Sequence, residues 1–486
     1  MGDTHTADIL IIGAGFGGIC MGLRALRAGL RPLILERASD VGGTWRDNTY
    51  PGCACDTQSH HYSLSFAPNP DWSQRFPPQP EILAYARRIT REGGLWPHIR
   101  FQQTVTSLTF DTATSHWTAR TAEAEQYRAP VAVTAVGQLN QPAHPRIEGM
   151  ADFPGPVLHS AHWDNGFDPT GRDIAVVGSG ASAIQMIPPL AEKARHLTIF
   201  QRSPNWVVPR DNRTYSNLQR RLFRYLPGWR RLHRAAIWWE WERSWPEFID
   251  GSRQARKRSA ETRADIRAKA GPLADALTPD YPLGCKRILL ADDLYPTLRR
   301  GNVTLIPAAL ERIRGDRLIG ANGQTCRADA IALATGFRAR DFLPGMTVIG
   351  PDGVRLHDRW KAAGGPEAYL GLALPGFPNL FFVYGPNTNL GHNSILFMIE
   401  CQAHAILGAM RRMRRRGATR IEVKEAAMAR YSEKLHRDLG RTAWAGGCDS
   451  WYKGEDGRIV NNWSGSTLDY WWRTRHLPKR DFVVSG

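Results

Sequence analysis

Two glycine-rich loops are the residues whose types and spacing point most directly to chemistry: Gly13-Ala-Gly15-Phe-Gly-Gly18 and Gly178-Ser-Gly180-Ala-Ser-Ala183. In loops of this spacing, glycine permits a tight turn and lets the backbone approach a pyrophosphate, which the N-terminus of the next helix attracts. Two such loops on one chain predict two bound dinucleotides and therefore redox chemistry.

The elements that must position the first loop follow in the expected order. An apolar run at 8–12 predicts a strand before the loop, and residues 19–28 predict a helix after it. A second predicted strand, 32–35, ends at Glu36, whose carboxylate suits the hydroxyls of a ribose. The complete strand–loop–helix–strand order makes this motif far more specific than glycine spacing alone.

The second loop repeats this pattern with one difference. Predicted strands at 173–177 and 196–200 surround a helix that ends near residue 194, but Arg202 takes the place of the acid. A guanidinium attracts a 2′-phosphate, so the second ligand is predicted to be NADP(H) rather than NAD(H). Ala183 replaces the third glycine, which a contact between helix and strand tolerates.

The chain is predicted to be an α/β protein with two Rossmann-like dinucleotide-binding domains. The first domain is expected in residues 1–145 and again in 331–486, and the second, 146–330, between them. The segment 211–275 departs from the α/β pattern and predicts an inserted helical pair or lobe. Its five tryptophans indicate either a lid or membrane-touching face, or, as the favoured interpretation, side chains packed on the parent domain with arginines facing water.

Composition narrows the function classes. The 486 residues are 42% apolar, which suffices for several buried cores, and no stretch is long and apolar enough to predict a spanning helix. The net charge is +17, but residues 211–270 alone supply +8 of it, and no nucleic-acid-binding motif accompanies the charge. We expect no nucleic-acid partner, no stable membrane anchor and a cytoplasmic location.

The seven cysteines are scattered and lack the spacing of metal ligands, so no metal is expected. Cys53 and Cys55 could form a redox couple. Two thiols in a loop is the favoured interpretation, because flavin disulfide reductases use a wider spacing set on a helix. All seven cysteines are expected to be reduced.

Two longer motifs are also present. The first, Phe-x-Gly-x-x-x-His-x-x-x-Trp-(Pro/Asp), runs from Phe153 to Asp164. The second comprises Gly42-Gly43-Thr44-Trp45, Tyr50-Pro51-Gly52 and Asp56. Together with both phosphate loops, these motifs make the chain, from residue 8 to about 460, resemble the class B flavoprotein monooxygenases and, within them, the type I Baeyer–Villiger monooxygenases.

The resemblance implies that the first loop holds FAD and the second NADPH. It implies insertion of one oxygen atom of O₂ beside a ketone carbonyl, through a C4a-peroxyflavin, to give an ester or lactone. Besides the loop glycines, the FAD ligands it implies are Glu36, Thr44, Trp45, Asp56 and Tyr62. The NADP(H) ligands it implies are Ser179, Gly180, Ala181, Ser182 and Gln185 at the pyrophosphate, Arg202, Ser203 and Lys286 at the 2′-phosphate, and Trp451 in a mobile segment over the nicotinamide.

The same resemblance identifies Arg287 as the active-site arginine, in contact with the flavin, and Asp56 as the carboxylate that positions it through a bidentate pair. A permanently charged guanidinium would stabilise both the peroxide anion and the oxyanion of the ketone adduct. His159, in the first motif, is interpreted either as a general base or, preferably, as part of a linker that serves domain movement.

Two alternatives stay open at this point. A flavin monooxygenase that oxidises nitrogen or sulfur would not need the Asp56–Arg287 pair. A redox-sensing flavoprotein or a basic membrane-associated scaffold would not need both intact cofactor loops together with that pair. The implied partners are a small ketone and O₂, with the protein a monomer or a dimer. The stretch 385–394 departs from the Ser-Pro-Ser type sequence of better-known relatives, so their substrate range does not carry over.

Overall fold

Two five-stranded parallel sheets organise the protein, which a computed structural model describes for residues 5–454 and 456–486. The first sheet contains, in order across it, Leu380–Phe382, Ala132–Thr134, Ile9–Ile12, Pro32–Leu35 and Ile99–Arg100. The second contains Val303–Ile306, His196–Phe200, Asp173–Val177, Ala330–Leu333 and Val157–His159. The predicted α/β class with two Rossmann-like units is therefore confirmed.

Each phosphate loop follows the central strand of its sheet. Ile9–Ile12 is buried along its whole length and Asp173–Val177 along all but its first residue, as expected for parallel strands covered on both faces. The strand Leu380–Phe382 pairs in parallel with Ala132–Thr134, so the last third of the chain returns to the first sheet.

A helix follows each loop, at Phe16–Arg27 and at Ala181–Lys193. The first helix begins three residues before the predicted start at residue 19. Its first turn contains Gly17 and Gly18. Because glycine has a low helix propensity, the sequence did not predict this turn, which tertiary packing stabilises.

Close backbone approach explains why glycine occupies three of the loop positions. Gly13 and Gly178 have φ angles of +101° and +116°, and a Cβ on either would lie 2.8 or 2.5 Å from the carbonyl oxygen of Ala135 or Ala334. A Cβ on Gly18 would lie 1.9 Å from the carbonyl oxygen of Gly13. Both loops therefore turn against the neighbouring strand in the same way.

The insertion, predicted as a helical pair or lobe, contains three long helices: Asn217–Tyr225, Trp229–Glu242 and Arg253–Ala270, with the short Ala274–Leu277 after them. Four of the five tryptophans lie on the second helix, whereas the third helix is rich in alanine and charge. Trp238 stacks on Phe397 at 6.2 Å. Trp229 and Trp239 are 40% and 54% exposed, so the interpretation that the tryptophans pack on the parent domain is wrong for these two. Among the described residues, no helix combines the length and apolar character needed to cross a membrane.

Four further sheets were not predicted from the sequence. A mixed sheet contains, in order, His5–Thr6, Gln126–Ala129, His116–Thr121, Val105–Asp111 and Thr347–Ile349. The others are Leu310–Arg314 with Arg317–Gly320 and Thr325–Arg327, Val207–Val208 with Leu289–Leu290, and Arg420–Val423 with Phe482–Ser485. The remaining α-helices in the described ranges are Thr44–Asp47, Gln79–Glu92, Leu294–Leu298, Leu356–Ala362, Ile395–Arg415, Glu425–Leu439 and Thr467–Arg475.

One disulfide corrects the expectation that all seven cysteines are reduced. Cys285 and Cys448 are bonded, with their Cα atoms 6.2 Å apart, and the other five cysteines are free. The pair is buried in a small apolar cluster with Trp206 and Tyr281. Because 163 residues separate the two cysteines, only the tertiary fold brings them together.

The contact at Gly18 leads to a stability prediction. Gly18→Ala should lower the free energy of unfolding by about 1–3 kcal/mol, because the new methyl group overlaps the carbonyl oxygen of Gly13 and the helix must move. Gly301→Ala is the matched control, since no atom lies within 4 Å of its added Cβ. Urea denaturation followed by circular dichroism measures both variants. Equal stability of the two would contradict the packing role of Gly18.

Candidate active site

A cavity of about 880 Å³ lies between the two large sheets, and both phosphate loops open onto it. Almost every cofactor residue named from the sequence lines this cavity, from Glu36 on one side to Lys286 and Trp451 on the other. The exception is Gly18, which lies beneath the first loop against Gly13. The sequence motifs, up to 438 positions apart, thus converge on one space.

The loop ends of both helices are suited to phosphate. Within the described residues, no side chain caps either N-terminus, at Gly15 or at Gly180. The first-turn N–H groups therefore stay free to bind an anion, and the helix dipoles favour one there. A Cβ on Gly15 or Gly180 would meet no atom closer than 3.8 Å, so the cavity is open at both positions.

Glu36 is held at the far end of the first loop. Its side chain is buried, lines the cavity and accepts hydrogen bonds from the backbone N–H groups of Ala14 at 2.7 Å and Ala38 at 3.0 Å. Arg46 Nη1 also donates to it, at 3.1 Å. These bonds fix the carboxylate where a ribose bound by the loop would need an acceptor.

Aromatic side chains form one wall of the first half. Trp45 Nε1 donates to the Tyr62 hydroxyl at 2.7 Å, and the two rings meet edge to face at 5.6 Å. Thr44 begins the short helix that carries Trp45. A rigid, partly polar aromatic wall suits a planar ring system such as a flavin.

Positive charge gathers at the second loop. Lys286 Nζ donates to Ser203 Oγ at 2.8 Å, and Arg202 forms an exposed ion pair with Asp449 at 3.4 Å. Burial and then the positive charge of Arg202 lower the pKa of Lys286. Two cations that repel each other in one cavity are stabilised by a bound anion, and a 2′-phosphate would supply it.

Arg287 and Asp56 form an ion pair in the cavity. Arg287 Nε donates to Asp56 Oδ2 at 2.9 Å, and Nη2 donates to the same oxygen. Two guanidinium nitrogens thus bind Asp56, as expected for a bidentate pair, but both donate to one carboxylate oxygen. The charge of Asp56 is the main cause of a raised pKa of Arg287. About 40% of the Arg287 side chain remains accessible, and it lines the cavity.

Two tyrosines accompany the Arg287 guanidinium. Burial raises the pKa of Tyr452 to about 12, although the positive charge of Arg287 acts in the opposite direction. Burial also raises the pKa of Tyr384, and the charge of Arg287 again opposes this. The Tyr384 hydroxyl donates to Asn389 Oδ1 at 2.9 Å. Both phenols are therefore neutral near pH 7 and serve as hydrogen-bonding groups rather than bases. Neither was identified from the sequence as a site residue, because only the fold places them near Arg287.

Gln185 has a connection that the sequence did not reveal. Its amide accepts from the Tyr50 hydroxyl at 2.8 Å and donates to the Ala54 carbonyl oxygen at 3.0 Å. Gln185 lies on the helix of the second loop, whereas Tyr50 and Ala54 belong to the second long motif. It lines the cavity, as predicted, but its amide ties the two halves together rather than standing free for a pyrophosphate.

His159 lies outside the residues that line the cavity. It ends the edge strand Val157–His159 and is buried, with Nδ1 accepting from the Ala161 N–H at 3.1 Å. Burial lowers its pKa from 6.5 to about 4. Protonation of His159 therefore opposes folding as the pH falls from about 6.5 towards 4.

Comparisons with known proteins agree with this geometry. The family described as pyridine nucleotide-disulphide oxidoreductase matches residues 10–219. A Baeyer–Villiger monooxygenase of Streptomyces coelicolor is 40% identical over 481 residues, covering 98% of this chain and 92% of that protein.

Solved structures are similar over the full length. An oxidised steroid monooxygenase bound to NADP has a TM-score of 0.88 and 30% identity, covering 99% of each chain. The OTEMO complex with FAD and NADP has a TM-score of 0.88 and 29% identity, covering 99% of this chain and 100% of that one.

The fold and site define a flavoprotein monooxygenase that uses FAD and NADPH. The chain belongs to the Baeyer–Villiger monooxygenases. Of the alternatives left open by the sequence, oxidation of nitrogen or sulfur and a non-catalytic flavoprotein are not supported by these relatives, while the Baeyer–Villiger prediction is confirmed.

The cation cluster predicts the choice between NADPH and NADH. Arg202→Ala should reduce the preference for NADPH by about tenfold, because one charged contact with the 2′-phosphate is lost. The ratio of kcat/KM for the two nucleotides measures this. Arg195→Ala is the control: it removes an exposed arginine that pairs with Asp173 at the opposite end of the same sheet. An unchanged ratio in Arg202→Ala would exclude this arginine from phosphate binding.

The position of His159 outside the residues that line the cavity, together with its low pKa, predicts that it is not a general base. His159→Gln should keep the shape of the wild-type pH profile of kcat from about pH 6 to 9, because the wild-type imidazole is already neutral there. Steady-state kinetics across this range provides the measurement. If His159 were a general base, the substitution would lower kcat by about 10²–10⁴-fold and remove an inflection from the pH profile of kcat.

Proposed function

We propose that this enzyme inserts one oxygen atom of O₂ beside the carbonyl of a small ketone to form an ester or lactone, with Arg287 as the catalytic residue and Asp56 as its partner. The observation that carries the proposal is the Arg287 guanidinium, paired with Asp56 and accessible within the cavity onto which both phosphate loops open.

The cofactor assignments form part of this proposal. We assign FAD to the first loop, with Glu36 at its ribose and Thr44, Trp45 and Tyr62 beside its ring, and NADP(H) to the second loop. The free helix ends and the strained glycine turns fit two pyrophosphates. Residues 1–145 and 331–486 would form the FAD domain and 146–330 the NADP domain, an inference supported by the pairing of Leu380–Phe382 with Ala132–Thr134.

FAD, once reduced by NADPH, supplies the chemistry that activates O₂. The protein contributes a fixed positive charge, because Arg287 stays protonated at any working pH and Asp56 raises its pKa further. A positive charge already in place stabilises negative charge as it develops on the oxygen atoms of the reactants, without reorganisation during the step. Asp56 limits the orientations that the guanidinium can take.

The substrate class follows from what the cavity offers. Leu390, Tyr384 and Trp451 line it together with Arg287, so the cavity offers apolar and aromatic surface as well as a strong hydrogen-bond donor. A carbonyl oxygen is the acceptor that such a donor suits, and apolar substituents suit the surrounding walls. A small ketone with apolar substituents combines both features.

Removal of the guanidinium tests the proposal. In Arg287→Ala, oxygenation of a ketone should fall by on the order of 10²–10³-fold, the usual loss when a group that stabilises developing charge is removed. FAD content and flavin reduction by NADPH should remain, so NADPH consumption should continue and yield hydrogen peroxide. Product analysis by mass spectrometry, together with a peroxide assay, measures both results.

Three further variants sharpen this experiment. Asp56→Ala should fail in the same direction, and Arg287→Lys should recover part of the activity, since it keeps the charge but not the planar fork. Arg317→Ala, an exposed arginine of a distant hairpin, should behave as wild type. Normal ester formation by Arg287→Ala would overturn the proposed role.

A further inference from the structure

The Cys285–Cys448 disulfide joins the two segments that meet at the proposed nicotinamide end of the cavity. Cys285 immediately precedes Lys286 and Arg287, both of which line the cavity. Cys448 immediately precedes residues 449–451, which also line it and include Trp451. A covalent bond therefore sets the spacing between the loop that carries the active-site arginine and the segment that carries Trp451.

Few other polar contacts hold this segment, which we define as residues 446–453. Lys453 Nζ donates to Gly446 O and the Tyr452 N–H to Ser450 Oγ, but these bonds lie within the segment itself. Outside it, Arg340 Nη1 donates to the Lys453 carbonyl oxygen at 2.6 Å. Among the described residues, the Gly446 N–H also donates to the Ala443 carbonyl oxygen, and Lys453 pairs with Ile459 in an isolated β-bridge. Asp449 forms an exposed ion pair with Arg202, and exposed pairs of this kind contribute little.

Nucleotide binding would remove that ion pair. Arg202 is the proposed partner of the 2′-phosphate, and a phosphate on Arg202 would both compete with Asp449 and repel its carboxylate. With the nucleotide bound, the disulfide remains as the covalent link between the segment and the loop 284–287, in addition to the apolar packing around Cys448 and Tyr452. The redox state of the two cysteines then decides whether Trp451 stays in place.

The surroundings of the disulfide allow exchange with a thiol. Cys285 is fully buried, whereas Cys448 is 8% accessible and lies between Gly447 and Asp449, both exposed. An incoming thiolate would therefore attack Cys448 Sγ, with Cys285 as the leaving group. Lys286 follows Cys285 in the chain, and Arg202 pairs with Asp449, the neighbour of Cys448, so each cysteine has a cation in its immediate neighbourhood along the chain or by contact. Positive charge near a thiolate favours that form.

We propose that Cys285 and Cys448 are a redox modification site that controls closure of the segment 446–453 over the active-site cavity. A dithiol, either a small molecule or a reducing protein of the thioredoxin class, attacks Cys448 and breaks the S–S bond. Its second thiol then resolves the mixed disulfide. Two electrons and two protons pass to the cysteines, which become thiols, while the reagent becomes a disulfide.

The two states differ in how well water is excluded. As a disulfide, the pair holds Trp451 against the Arg287 loop and closes the cavity. As two thiols, it lets the segment open, so water enters and reducing equivalents are lost to hydrogen peroxide. This consequence for turnover rests on the proposed function, as does the loss of the Arg202–Asp449 pair on nucleotide binding, whereas the existence of the modification does not.

Alkylation counts test the modification itself. Wild-type protein, denatured in N-ethylmaleimide without a reductant, should take up five labels, and seven after treatment with dithiothreitol. Peptide mapping should assign the two additional labels to Cys285 and Cys448. Seven labels before reduction, in protein that has been exposed to an oxidised thiol buffer, would overturn the proposal.

Trypsin tests the release of the segment without relying on activity. With NADP⁺ present in both samples, cleavage after Lys453 should be about tenfold faster in reduced than in oxidised wild-type protein. The reason is that reduction raises the population of the open segment. Cys448→Ser and Cys285→Ser should be cleaved at the fast rate with or without dithiothreitol. Cys326→Ser, which removes a free thiol elsewhere, should respond as wild type does. Equal cleavage of oxidised and reduced wild type would overturn the proposal.

Coupling of NADPH to product formation tests the consequence for turnover. The hydrogen peroxide formed per NADPH, in the presence of a ketone that the enzyme accepts, should rise by about tenfold on reduction and return on reoxidation with oxidised glutathione. Cys285→Ser and Cys448→Ser should show the high ratio of hydrogen peroxide to NADPH under both reducing and oxidising conditions. An enzyme that oxygenates no ketone would contradict the proposed function but leave the alkylation and trypsin results to decide the redox site.

Discussion

The ion pair between Asp56 and Arg287 is the interaction on which the arrangement of the site depends. Asp56 belongs to the motif that follows the first phosphate loop, whereas Arg287 lies more than a hundred residues beyond the second. A guanidinium in a cavity is costly without a partner, because charged groups lose hydration on burial. The pair therefore favours the arrangement of the two halves that brings both phosphate loops to one space.

The neighbouring contacts act in the same direction. The Gln185 amide, bonded to the Tyr50 hydroxyl and the Ala54 carbonyl oxygen, joins the helix of the second loop to the segment that ends at Asp56. The contacts of Arg287 and of Gln185 thus join the halves at the cavity itself. A change in the angle between the halves would disturb the orientation of the guanidinium before it disturbed either sheet.

The sequence predicts local elements well and distant contacts poorly. The strands at 32–35, 173–177 and 196–200 have the bounds that their apolar runs indicate, because buried parallel strands read as continuous apolar segments. The helix after the first loop was predicted to start too late, since Gly17 and Gly18 lie in its first turn. Propensity disfavours glycine in a helix, but packing against the strand requires it here.

The site shows the same division. Motif spacing brought nearly all of the predicted residues to one cavity, because each motif depends on a local turn or helix end. The geometry of the Arg287 contact, the hydrogen bonds of Gln185 and the disulfide of Cys285 with Cys448 depend on approach between segments that are distant in sequence. A local sequence pattern cannot predict a contact between two segments that are distant in sequence. Tyr384 and Tyr452 were missed for the same reason, since only the fold places them beside Arg287.

The most direct test of the proposed reaction is the origin of the inserted oxygen atom. The enzyme, supplied with FAD, NADPH, a small ketone and ¹⁸O₂ in ordinary water, should give an ester or lactone that carries one ¹⁸O atom, detected by mass spectrometry. NADPH consumption should match product formation one to one when the cavity is closed. An ester without ¹⁸O, or recovery of unchanged ketone while a sulfide or amine is oxygenated instead, would contradict the account.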